Sequence, residues 1–71
     1  MPDDAALRLS WAMTEAVDAE LRLRTAAVRL GIILADLQAG HPPSSPLDEL
    51  RKQFIAVRDQ LTAIIDVLPE V

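Results

Sequence analysis

The sequence predicts an all-α fold, an antiparallel hairpin with a long first helix and a shorter second one, and three observations predict it. Apolar residues recur at alternating three- and four-residue steps in both halves of the chain. A short segment from Gly40 to Ser45 that no helix can cross separates the halves. Acids stand four residues ahead of bases at Asp4/Arg8, Asp18/Arg22, Glu20/Arg24 and Asp48/Lys52, an order that supports helices and that no strand or loop requires.

The first helix is expected over residues 4–39. Asp3 or Asp4 can cap its start, and from Ala5 to Ala39 only Gly31 interrupts the run of helix formers. Gly40 can take the left-handed conformation that closes a helix end, and Pro42 and Pro43 forbid continuation. Residues 40–45 are the loop. The second helix is expected over residues 46–68, with Ser45 as N-cap, Pro46 at the first helical position and Asp48 and Glu49 at the positive end of the dipole. Pro69 should stop it near Leu68.

Leu47, Leu50, Phe54, Val57, Leu61, Ile64 and Leu68 form an unbroken coiled-coil-like seam on the second helix. The first helix answers with two rows, Leu9, Ala16, Leu23, Leu30 and Leu37, and Ala12, Ala19, Ala26 and Ile33. Small residues along one row let a facing helix approach closely, so that its bulky side chains fill the space. Gly31 is read as a point of close approach by a neighbouring helix, with simple tolerance of a glycine within a helix as the alternative.

The chain is one domain of 71 residues, without cysteine. A fold this small buries only about 60% of its unfolded surface, so oligomerisation or a bound partner has to supply what disulfides cannot. Hydrophobic residues make up 51% of the chain, drawn from Ala, Leu, Ile and Val, with Trp11 and Phe54 the only aromatics. The net charge of −4 repels nucleic acid and anionic lipid alike, which points to protein partners. Met1-Pro2-Asp3-Asp4 lacks the basic residues and apolar core of a secretion signal, and the uncharged run Leu30 to Ala35 is too short to span a bilayer. A cytoplasmic protein is expected.

Helices of about 35 and 23 residues would be about 53 and 35 Å long. Pairing Phe54 near Leu30, Leu61 near Leu23 and Leu68 near Ala16 would leave about three turns of the first helix uncovered. Leu7, Leu9, Trp11, Ala12 and Met13 lie there. A second surplus runs along Leu7, Leu21, Val28 and Ala35, about 140° from the main seam, beyond the reach of one covering helix. Ile55, Ile65 and Val67 add to it from the second helix. The candidate partner-binding residues are therefore Leu7, Leu9, Trp11, Met13, Leu21, Val28, Ile55 and Ile65, and the hairpin is expected to be completed into a bundle by a second copy or a partner chain.

Catalysis finds little to work with. His41 is the only histidine and has no cysteine or acid in its loop to complete a metal site. Ser10, Ser44 and Ser45 have no base to activate them, and two helices enclose no pocket for paired carboxylates or a small-molecule substrate. Glu20, the one acid on the apolar side of the first helix, could be a shifted group at a functional site, but is expected to reach out to solvent or to pair with a neighbour such as Arg24. Arg22, Arg24 and Arg29 point in different directions and make no nucleic-acid face, and no glycine-rich phosphate loop is present. No catalytic residue, metal or cofactor is expected.

From Ala19 to Leu68 the chain has an Ala/Leu/Arg helix ending in Leu37-Gln38-Ala39-Gly40, a short loop, and a seam ending in Leu61, Ile64, Ile65 and Leu68. In this it resembles the small helical-hairpin co-chaperones of type III secretion needle subunits. Pro43-Ser44-Ser45-Pro46 also looks like the Pro-x-x-Pro turn of the needle subunits themselves, although the second helix here is shorter than theirs. The resemblance implies a cytoplasmic chaperone-type protein that binds a helical-repeat partner and keeps a needle subunit unpolymerised. The alternative from the residues alone is a self-associating structural or regulatory protein in which two hairpins form a homodimeric four-helix bundle.

Overall fold

The computed structural model describes residues 4–43 and 45–68; Asp3, Ser44 and the Pro69 stop lie outside them. Helix α1 runs from Asp4 to Gln38 and helix α2 from Leu47 to Val67, packed against each other as an antiparallel hairpin. No strand occurs among the described residues. The rod measures 61 × 17 × 15 Å.

The end of α1 follows from Gly40, whose φ is +77°. That left-handed residue turns the chain so that His41 N–H donates to the Asp36 carbonyl at 2.8 Å and Gly40 N–H to the Leu37 carbonyl at 3.1 Å. Two carbonyls that a bare helix end would leave without donors are thereby satisfied. At the other side of the loop α2 starts one residue later than expected. Pro46 has ψ 133°, is extended, and is itself the N-cap, with its carbonyl accepting from Leu50 N–H at 3.3 Å. Among the described residues no side chain caps the helix, so Ser45 does not play that part. Asp48 and Glu49 supply the negative charge that the first turn favours. Leu68 closes α2 in an extended conformation, which is favoured for a residue that precedes a proline in the sequence, with its N–H donating to the Ile64 and Ile65 carbonyls.

The core is one row per helix. Ala12, Ala19, Ala26 and Ile33 are buried on α1, and Leu50, Val57 and Ile64 on α2. Leu50 packs with Ala26 and Ile33, and Phe54 lies partly buried against that cluster. Two helical turns further on, the same step sets Val57 level with the gap between Ala19 and Ala26, and Ile64 with the gap between Ala12 and Ala19. Large residues on one helix thus meet small ones on the other.

This corrects the two-row seam. Leu9, Leu23, Leu30 and Leu37 on α1, and Leu47, Leu61 and Leu68 on α2, are all exposed. The reason lies in the alanines: once the small row sits at the line of closest approach, the row 40–60° around the helix is carried to the edge, where one partner helix cannot cover it. The interleaved register also brings cover one turn further along α1 than matched lengths suggest. Ala12 is buried, whereas Leu7, Leu9, Trp11 and Met13 remain exposed. Within the hairpin α2 does not approach Gly31 closely, since a Cβ placed there would meet nothing within 4 Å.

Candidate protein-interaction surface

Helical geometry divides the surface of the hairpin into two edges on either side of the buried rows. One edge is polar. Gln60 on α2 donates its amide to Glu15 at 2.7 Å and to Asp18 at 3.0 Å on α1, and the same Asp18 carboxylate oxygen accepts from Arg22 Nε at 2.8 Å. A shallow groove of about 340 Å³ opens on this side between Leu21, Arg22, Thr25, Gln53 and Ala56. The Oε1 atoms of Gln53 and Gln60 are buried there without a hydrogen-bond partner among the described residues.

The opposite edge is apolar. Turning about 40–100° the other way from the buried row of α1 passes Leu9, Met13, Ala16, Glu20, Leu23, Ala27, Leu30, Leu34 and Leu37. The same rotation on α2 passes Leu47, Arg51, Phe54, Arg58, Leu61, Ile65 and Leu68. All the large aliphatic residues in these two sets are exposed, and they run side by side for the length of α2. Glu20, Arg51 and Arg58 are the only charges on the face. Glu20 pairs with Arg24 one turn away, as its position suggested, and Arg58 makes a longer contact to Asp59 at 3.3 Å. Of the four expected acid–base pairs, Asp18–Arg22 and Glu20–Arg24 close.

The eight candidate partner-binding residues divide between surfaces. Leu9, Met13 and Ile65 belong to the apolar face just described, while Trp11, Leu7, Leu21 and Val28 lie around the other side of α1. Ile55 sits on the outer side of α2. All eight are exposed, Trp11 at 42% and Met13 at 68%. Sequence reasoning missed Leu23, Leu30, Leu37, Leu61 and Leu68 as surface residues because their spacing made them seam residues. The alanine row beside them permits the closer helix approach, but alanine also suits an exposed helix surface, so its presence alone did not mark which row would be core.

His41 is exposed in the loop, and no cluster of three or more His, Asp or Glu able to hold a metal occurs among the described residues. No described helix is long and apolar enough to cross a membrane. No family model, curated protein or solved structure matches this chain.

Proposed function

We propose that this chain is a non-catalytic interaction module that presents apolar helix faces to another protein chain. The observation that carries this reading is the row of exposed leucines on both helices beside a core whose α1 half is mostly alanine. Contiguous apolar surface of this kind is a mark of protein contact sites. It is a surface rather than a cavity, so it suits a helix-bearing partner and not a small-molecule substrate, and the acidic balance of the chain disfavours nucleic acid and membrane. A helical-repeat partner, of the kind that the likeness to needle-subunit co-chaperones implies, has grooves that take amphipathic helices, and a cytoplasmic site of action goes with it. Trp11, beside Leu7 on the other side of α1, is the natural anchor for such a partner, because tryptophan is over-represented where interfaces are strongest.

The test is native mass spectrometry on the chain expressed alone and together with the products of its neighbouring genes. A complex of defined stoichiometry in either arm is expected. A monomer in both arms overturns the reading.

A further inference from the structure

Resting on that reading and deepening it, we propose that the leucine face of the hairpin is the contact surface for a second copy of this chain. In that dimer α1 of each copy lies over α2 of the other, so that all neighbouring helices run antiparallel.

Surface area is the first argument. The chain exposes 5594 Å² at a mass of 7.8 kDa, where a folded monomer of that mass exposes about 4,400 Å². Its radius of gyration is 16.7 Å, against about 11 Å for a compact domain of this length. Covering that excess, about 1,200 Å² per chain, by a second copy would bury about 2,400 Å² in the pair, within the range of permanent homodimers. A second copy also brings a face of identical length, with leucine rows on both of its helices. Leu23, Leu30 and Leu61, half-exposed in one chain, would become the centre of a four-helix core.

Charge supplies the second argument, and it fixes the arrangement. On this face α1 carries only the acid Glu20, and α2 only the bases Arg51 and Arg58; every other acid of both helices lies elsewhere. Stacking like helix on like would set the two base-bearing helices together. A twofold axis parallel to the helices instead lays α1 over the partner's α2. Leu50 packs with Ala26 and Ile33, and Gln60 reaches Glu15 and Asp18, so Glu20 and Arg58 stand at nearly the same height along the rod. The twofold therefore brings Glu20 of each copy within about one helical turn of Arg58 of the other, twice per dimer. The acidic excess of the chain stays on the outer surfaces, where it does not oppose the contact.

Sedimentation equilibrium of the full chain at low salt, over a wide concentration range, tests the proposal. The expected result is a species of twice the chain mass. Leu30→Glu, at a position exposed in the single hairpin, should weaken the dimer more than about 100-fold by placing two charges in its core. Glu20→Arg and Arg58→Glu should each weaken it about tenfold, and the double exchange should restore it to within about threefold. Lys52→Glu, a charge reversal on the outer side of α2, should leave it unchanged. These are surface positions, and circular dichroism on each variant checks that helicity is kept. A helical monomer at all concentrations overturns the proposal, and so does a dimer indifferent to Leu30→Glu. A dimer that Leu30→Glu breaks but that the double exchange fails to restore overturns the α1-over-α2 arrangement. A chain that is monomeric alone yet forms a complex with a neighbouring gene product overturns self-docking while leaving the interaction module standing, whereas a monomer in both settings removes both.

Discussion

Gln60 on α2 reaches across the hairpin to Glu15 on α1, with its side-chain nitrogen 2.7 Å from the carboxylate oxygen. The same nitrogen also donates to Asp18 at 3.0 Å, so one amide ties together two acids that would otherwise face each other along the polar edge. This contact fixes how far α2 is slid along α1, which a row of alanines alone would specify weakly. Gln60→Ala should destabilise the hairpin by about 1–2 kcal/mol, since hydrogen bonds to charged groups contribute about that much when partly shielded. Urea unfolding followed by circular dichroism at fixed chain concentration measures it. An unchanged midpoint would mean that packing alone holds the register.

Ile33 is 2% exposed and Leu61 44%. Truncating Ile33 leaves a cavity where α1 meets Leu50, so Ile33→Ala should cost about 2–5 kcal/mol. Leu61→Ala should cost about 1 kcal/mol in the dilute single chain, because much of its side chain already meets water. Equal losses in a sample verified as monomeric would contradict the one-row core.

The two glycines should respond in opposite directions. Gly31 lies within α1 with nothing within 4 Å of its missing side chain, so Gly31→Ala should stabilise the helix by about 1 kcal/mol. Gly40 sits at φ +77°, where an L side chain is strained, and Gly40→Ala should destabilise by about 1 kcal/mol. Thermal unfolding of the two variants beside the parent reads both signs at once. A Gly31→Ala variant that melts lower would indicate that something approaches α1 at that point in the assembled protein.

Trp11 reports on which surface is in use. It lies about 140° or more around α1 from the leucine face, so concentration-driven self-association should leave its emission solvent-like. Binding of a different chain at the Leu7–Trp11 end should shift the emission to shorter wavelength, and Trp11→Ala should weaken that binding by more than about 1 kcal/mol while keeping helicity. A blue shift on concentration alone would move the self-contact to the Trp11 side.

Helix positions were readable from single residues. Gly40 ended the first helix because glycine acts through its own backbone geometry, taking a φ of +77° there. The Glu20–Arg24 and Asp18–Arg22 pairs followed from spacing alone. Ser45 was a good capping residue by type, yet the extended ψ of Pro46 moved the start by one residue, a shift too small for composition to register.

What the sequence by itself determined is the pair of helices, the loop between them and the two apolar rows on each. Those features depend on 3.6-residue periodicity and on local backbone preference, both properties of the chain before it packs. Only the tertiary structure decided which row becomes core. Ala26 and Leu30 are both apolar and four residues apart on one helix, and nothing local distinguishes their fates. The choice depends on how closely two helices can approach, and the alanine row permits the shorter distance. Ala26 is therefore buried beneath Leu50, and Leu30 is left at the edge with 47% of its surface in water.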